Sequence, residues 1–579
     1  MCGIALAFTR KNCNADIMRR LLESLEHRGP DKQGVVMFTL RNAPDWALSM
    51  GHTRLAIVGL GEIGNQPKFV PDQSAMIFNG EIYAPAAGQN LRGAGLESDT
   101  QWLWQQFEAT NLIGPQPGAD GIWGMVSFNA EEEEISVTRD PLGVIPVYAY
   151  EWQGGLIISS EIQAIAKAVG PLPINLPELV SAVASRQLSY GRYVKGLSCI
   201  SPGETRHYKI RNNTVTCRRS PPEERLTDYL HESRSFGEAF DSAVFKQCQA
   251  DVPLGIQLSG GIDSSLIAAT LARQGHRDLN AFVARTNPTG YDEADLAIAN
   301  SRSLGLKPPI DILIDKQTFS DEILSSIGNI DPAFSHPNFF AVKKIARTAH
   351  EMGIKVLLCG EGADELFRGY SRLLPSNAVR LLSAKASHAI LKKVDFKRLN
   401  FDHCSPGAAK REMEVNIGFQ YQWVKDPSLQ HLFSNYLHEL LYRQNIAGMA
   451  HSVEVRPPFL DFSIVGYAMT HPKSFLQLND GSFHLLKGAL KSHLRKVFPN
   501  YIGPSRKSGF SMPLQNLLND DAIDLLRNSV LFSFNHLGVN RNYWLSKYME
   551  NRLSTFEFER YLWPAIVTAG ALSATGHKV

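Results

Sequence analysis

The sequence is short of the features that mark several protein classes. Its 579 residues carry seven cysteines, at 2, 13, 199, 217, 248, 359 and 404, odd in number and without a CxxC pair. That pattern argues against a disulfide framework or a cysteine-based zinc site and fits reduced thiols. The 17 histidines form no HExxH, so a zincin-type centre is not expected. Charge of one sign is not in excess: 59 Lys and Arg against 57 Asp and Glu leave a formal net charge of +2. Neither nucleic acid nor an anionic membrane is therefore favoured as main partner. No basic stretch precedes an apolar core at the start, as a secretory leader would require. The most apolar late run, YLWPAIVTAGALSA, is too short to span a bilayer and contains Pro564. Internal repeats and low-complexity tracts are missing as well. These absences lead to the expectation of a cytoplasmic, enzyme-sized protein.

What is present falls into two halves. The first is rich in short strand patterns between turn signals, among them GIALAFT, QGVVMFTL, SAMIFNGEIY, GIWGMVSF and IPVYAY. Ile17, Leu21 and Leu25 recur at helical spacing, with Asp16 read as their cap. This half reads as packed antiparallel sheets with covering helices over 1–212. A polar, proline-rich stretch, CRRSPPEERLTD at 217–228, marks a linker assigned to 213–235. From 236 to 579 strands alternate with helices, which predicts a parallel sheet. Its strands are VPLGIQL, LNAFVA, IDILI and IKVLLC, the last read as the fourth; beyond about residue 375 the chain reads as helical.

In an open parallel sheet, ligands bind beyond the carboxyl ends of the strands. The first such end reads LSGGIDSS, 258–265. Its glycines let backbone approach a ligand, and the following helix points N–H groups at the same spot, which makes an anion cradle. It lacks the lysine of a GxxxxGK[ST] loop. The last strand ends in CGEGADELFRGY, 359–370. Asp263 and Asp364 then lie at neighbouring strand ends, and two carboxylates facing a polyphosphate suit Mg²⁺. Glu361 is a further acid exposed between glycines.

The octapeptide LSGGIDSS resembles the pyrophosphate loop of the ATP pyrophosphatases, which implies ATP as substrate and AMP and pyrophosphate as products. In the first half MCGI, HRGPD (27–31), HTRLAIV (52–58), NGEIY (79–83) and RDPLGVIPVY (139–148) together resemble the class II glutamine amidotransferases. That likeness implies an N-terminal-nucleophile αββα sandwich of the α+β class. In such a fold Cys2, freed of Met1, attacks the glutamine amide. Its own α-amine (pKa ~8, against ~8.5 for the thiol) serves as the base. It further implies an oxyanion hole from Asn79 and the Gly80 N–H. Arg54 would take the glutamine carboxylate, and Glu81 and Asp99 its ammonium.

Taken together the chain resembles glutamine-dependent asparagine synthetases over nearly its whole length. GEGADELF, MAHSVEVRPPFLD (449–461), YDEA (291–294) and RKSGFSMPL (506–514) add to the likeness. The second half is then an α/β ATP-pyrophosphatase domain with a helical C-terminal part. The resemblance implies ATP contacts from Leu258, Ser259, Gly260, Gly261, Asp263, Ser264, Ser265, Val283, Cys359 and Gly360. It implies Mg²⁺ on Asp263 and Asp364, and catalytic roles for Glu361 and a lysine. The family's lysine position holds Phe483, and Lys487 follows one turn on; an Asp-Arg pair of the family is replaced by Asn445 and Ile446. The expected substrates are glutamine, ATP and a carboxylic acid, aspartate by default. The aromatic HPNFFA (336–341) hints at a different acid, such as a peptide, a sugar uronate or another metabolite. A catalytically silent paralogue is the alternative from another class. Whether the chain pairs as a homodimer is left open.

Overall fold

Short runs with turn signals between them build two six-stranded antiparallel sheets in the first 220 residues. This computed structural model describes residues 1–85, 95–116, 118–185, 191–211, 213–220, 235–286, 293–326, 329–331, 336–369, 424, 427–471 and 487–504, with single positions at 563, 567, 568 and 571. One sheet runs Leu197–Cys199, Tyr148–Trp152, Gly155–Ser159, Gly3–Arg10, Trp46–Arg54, Lys32–Thr39. The other runs Thr214–Ser220, Thr205–Arg211, Glu134–Arg139, Asp120–Asn129, Ser74–Ala84, Lys68–Val70. Ile4, Leu6 and Phe8 from the first sheet meet Ile77, Val126 and Phe128 from the second in one buried layer. Strand Gly3–Arg10 is buried on both faces, because Ala5 and Ala7 on its other side pack under the helix Lys11–Leu25. The helix Asp99–Thr110 covers the second sheet through Leu103 and Phe107, which completes an αββα sandwich.

Two local expectations are corrected. Asp16 does not cap its helix. The helix begins five residues earlier, at Lys11, and Asp16 lies inside it, paired with Arg19 and Arg20. The linker does not start at 213 either: Thr214–Ser220 pairs with Thr205–Arg211 as the outer strand of the second sheet. Charged side chains hid this strand, because its positions are mostly exposed and no apolar alternation marks it. The remainder of the proline-rich stretch, 221–234, lies outside the described residues.

The second half opens on the helix Phe236–Gln247, with a reciprocal capping box between Ser235 and Glu238. A five-stranded parallel sheet follows, in the order Ile310–Leu313, Asn280–Arg285, Leu254–Gln257, Val356–Leu358, Glu454–Arg456. The fifth strand, Glu454–Arg456, was not foreseen; at three residues it is too short to show a period. The chain order reverses between Leu254–Gln257 and Val356–Leu358. The loops leaving those two strands therefore diverge and open a crevice at their carboxyl ends. Beyond residue 375 the α-helices among the described residues include Pro427–Leu432, His438–Met449, Phe462–Thr470 and Gly488–Val497. Among the described residues no helix is long and apolar enough to cross a membrane.

The two halves share a buried interface. Trp123 of the second sheet meets Phe462 edge-on at 6.3 Å, and one apolar cluster runs through both halves. Lys246 holds Asp461 at 2.6 Å and also pairs with Asp120 across the joint. The HRGPD turn belongs to the same seam. Ser452 Oγ donates to the His27 carbonyl at 2.7 Å, and Lys355 pairs with Asp31 at 2.7 Å.

Candidate active sites

Cys2 stands at the head of the Gly3–Arg10 strand, beside the middle of Ser74–Ala84. Its backbone N–H donates to Asn79 Oδ1 at 2.6 Å. Asn79 is fully buried, and its Nδ2 has no hydrogen-bond partner. A buried amide donor without an acceptor is costly unless something else arrives to take it. Next to it Gly80 has φ +144°, and an added Cβ there would lie 2.0 Å from the Ile122 carbonyl oxygen. Only glycine fits, and the bend keeps backbone at the pocket wall. Cys2, Arg54, Gly80, Glu81 and Asp99 all line this pocket. Arg54 spends three N–H groups on the Gly59 and Gly61 carbonyls and Asn65 Oδ1, which fixes its plane.

The electrostatics of this pocket are set by burial. Burial pushes the Cys2 thiol up to about 11, even with the N-terminal ammonium nearby. A thiol raised in this way is mostly protonated near neutral pH, so a nucleophilic Cys2 calls for a base. Burial raises the Asp99 carboxyl to about 6. Glu81 is raised well above its usual range, first by burial and then by the charge of Glu454, against the pull of Arg456. Met1 fills the remaining room. It is 2% exposed, its ammonium is paired with Glu454, and it lines the pocket, whose free volume is about 20 Å³. That is space for about one water molecule.

The second site is a cleft of about 510 Å³ at the sheet's reversal point. Leu258, Ser259, Asp263, Ser264, Val283, Cys359, Gly360, Glu361 and Asp364 line it. Gly260, Gly261 and Ser265 do not. Gly260, at φ +76°, is pressed against the backbone of Glu293, and Ser265 is buried in the first turn of Ile262–Arg273. Lys487 projects between the two aspartates, with Nζ 2.6 Å from Asp263 and 2.7 Å from Asp364. Burial opposes its charge, but the two carboxylates outweigh burial and hold Lys487 above the ordinary lysine range. It sits at φ +63°, just before the helix Gly488–Val497, a backbone turn that aims the side chain into the cleft. Phe483 and RKSGFSMPL lie outside the described residues. Two carboxylates converging on one buried cation are a donor set suited to a divalent ion bridging phosphates. Among the described residues, no group of three or more His, Cys, Asp and Glu is arranged for a metal by itself.

Glu361 is gripped from the helix His438–Met449: Arg443 pairs with it, and Gln444 Nε2 donates to it at 2.9 Å. The next residue, Asn445, turns to the other site. Its Oδ1 accepts from Arg28 at 3.1 Å, and its Nδ2 contacts Met1 Sδ at 2.8 Å. Arg28 in turn donates from Nε to the Cys2 carbonyl at 2.9 Å. One helix thus stands between the two pockets and touches both.

Sequence reading missed Arg443 and Gln444, although both lie a few residues before the quoted MAHS motif. It missed Glu454 and Arg456 inside that motif. Its hint of an aromatic acceptor region is corrected: Phe339 and Phe340 are both buried, Phe340 against Phe319 and Trp563 and Phe339 against Phe340, and neither lines the cleft. The cleft instead meets His336, Pro337, Asn338, Ala341, Val342 and Ile345. A helix shows only one face to a cavity, and here Ala341, Val342 and Ile345 take that face while Phe339 and Phe340 turn into the core.

Comparison with known proteins bears on both sites. The family model for asparagine synthase matches residues 235–569, and that for a glutamine amidotransferase domain matches residues 1–218. The chain is 22% identical to asparagine synthetase [glutamine-hydrolyzing] 1 of Bacillus subtilis, over 98% of this chain and 96% of that one. Asparagine synthetase B [glutamine-hydrolyzing] of Escherichia coli is 24% identical, covering 87% and 80% respectively. Amidase chyE of Penicillium rubens is 27% identical, covering 64% and 59%.

Proposed function

This chain belongs to the glutamine-dependent asparagine synthetase family of carbon–nitrogen ligases, and from that premise we propose that it amidates a carboxylic acid through an acyl-adenylate. The observation that carries the reading is the helix His438–Met449, whose Gln444 holds Glu361 of the cleft while its Asn445 meets Met1 and Arg28 beside the Cys2 pocket.

At the first site, loss of Met1 frees the Cys2 α-amine and opens the room that glutamine requires. The amine takes the thiol proton, and sulfur attacks the glutamine side-chain carbonyl. The oxyanion meets the unpartnered Asn79 Nδ2 and the Gly80 N–H. Arg54 holds the substrate carboxylate, and Glu81 and Asp99 its ammonium. The C–N bond breaks, the departing nitrogen takes the proton back, ammonia leaves, and water releases glutamate from the thioester.

At the second site the acid attacks the α-phosphorus of ATP, forming the acyl-adenylate and releasing pyrophosphate. The LSGG loop and the first turn of Ile262–Arg273 supply N–H donors to the phosphates. Asp263 and Asp364 would hold Mg²⁺, which offsets phosphate charge when bound. Ammonia passes along His438–Met449 in a cytoplasmic enzyme of small-molecule metabolism, displaces AMP and leaves the amide. Glu361, fixed by Arg443 and Gln444, accepts the proton that the attacking nitrogen loses.

Aspartate is the acceptor this family reading favours. A bulkier acid is the second reading, favoured by the apolar strip of Ala341, Val342 and Ile345 along the cleft. A screen of acids for pyrophosphate release, with aspartate included, decides between them. With ATP, glutamine and the accepted acid the products are AMP and pyrophosphate in equal amounts; ADP would overturn the reading of the nucleotide loop.

A further inference from the structure

The strand Glu454–Arg456 belongs by backbone to the second half of the chain. Leu358 pairs with Arg456 in the parallel ladder, and the Arg456 carbonyl accepts from the Cys359 N–H at 2.9 Å. By side chain it also reaches into the first half, where Glu454 pairs with the Met1 ammonium. Arg456 is fully buried and its guanidinium divides itself among several partners. Nε pairs with Glu454 at 2.6 Å, and one terminal nitrogen donates to the Gln247 and Gln249 carbonyls at 2.9 and 2.8 Å. The other terminal nitrogen lies 3.2 Å from Glu81 Oε1, and the group sits 5.6 Å from the centre of the Tyr83 ring. Glu81 lines the Cys2 pocket.

We propose that Arg456 is a positioning residue for glutamine: an arginine from the synthetase half aims Glu81 at the substrate ammonium, so the glutamine pocket is completed by the other domain. The inference rests on the glutaminase reading of the Cys2 pocket and goes beyond it, since that reading draws every pocket residue from the first half. The chemistry asks for such a partner. Glu81 faces Glu454 and Asp99, both acids, with the Cys2 thiol and the Tyr83 hydroxyl also near it, and Arg456 and the terminal ammonium offset their charge. Without a fixed cation, a buried carboxylate among acids takes up a proton and stops attracting an ammonium. A guanidinium suits the task because its planar fork hydrogen-bonds Glu454 and two carbonyls while its remaining nitrogen faces Glu81 as an ion-pair contact without a hydrogen bond, a set of directions a lysine ammonium cannot cover. The backbone of the same residue is registered to the strand that ends at Cys359 and Glu361. A shift of that strand would therefore move the glutamine pocket.

The test uses the full-length enzyme with Arg456→Lys and Arg456→Met, assayed with glutamine and, separately, with ammonium salts. Arg456→Lys is expected to raise the glutamine KM about tenfold and Arg456→Met about a hundredfold, with a much smaller fall in kcat. Ammonium-driven synthesis reports folding, because it bypasses the glutamine pocket, and is expected to stay within about twofold in the lysine variant. The pH profile is the second readout. Protonated Glu81 binds glutamine poorly, so KM falls as pH rises through its titration. In the variants that fall moves to higher pH. An unchanged glutamine KM in Arg456→Lys would overturn the proposal. So would an equal loss of both activities, or a fall in kcat alone with the pH profile unmoved. Failure of the underlying reading looks different: wild-type enzyme would then release no glutamate from glutamine.

Discussion

Replacing Cys2 by alanine abolishes amide formation from glutamine, by about 10⁴-fold or more in kcat, and leaves synthesis from ammonium salts within a few-fold of wild type. The expectation follows from the separation of the two sites. Among the described residues that line this pocket, Cys2 carries the only thiol, and it lies beside the unpartnered Asn79 amide. Alanine offers no thiol in its place. The nucleotide cleft shares no lining residue with the Cys2 pocket, so ammonia supplied from solution still meets the acyl-adenylate. The measurement is product formation with each nitrogen donor, beside glutamate release. Equal loss with both donors would mean that the sites are not separable. Retained glutamate release by the alanine variant would remove Cys2 from the chemistry.

Lys487→Met is expected to lower synthesis with either nitrogen donor by about 10²–10³-fold while glutamate release persists. Lys487 is the cation held between Asp263 and Asp364, at 2.6 and 2.7 Å, before any nucleotide arrives. On the proposed reading it would swing off the two carboxylates before they took a divalent ion, and its ammonium would then be free to meet charge growing on the phosphate and the leaving group. The variant leaves two acids side by side without the Lys487 charge. Mn²⁺ should therefore bind the nucleotide-free variant at least about tenfold more tightly than wild type, as read by the paramagnetic signal of the free ion. Synthesis within twofold of wild type would show that Lys487 only fills space. Equal Mn²⁺ affinity would show that it does not compete for the carboxylates.

How far the sites were legible can be traced residue by residue. Asp263 and Asp364 were found because each follows an apolar strand, and strand ends are where an open parallel sheet places its ligands. Asn79 and Gly80 were found through NGEIY, a short contiguous motif. Arg443 and Gln444 escaped because nothing local distinguishes them from other polar residues on a helix. Phe339 and Phe340 misled for a related reason: composition shows that a segment is aromatic but not which way its helix turns. The strand Thr214–Ser220 was taken for linker because an exposed edge strand carries charge where a buried one would alternate.

Sequence alone determined the chemistry-bearing ends of this protein: a cysteine at position 2, a glycine loop and two acids after predicted strands, and the order of two domains. These are short-range features, set by turn, strand and cap preferences acting within a few residues. Only the tertiary structure decided the contacts between segments far apart in the chain. It brought Arg456 to Glu81, Asn445 to Arg28 and Lys487 to the two aspartates. Such pairings depend on how buried charges find partners once water is excluded, and local pattern carries no record of that choice.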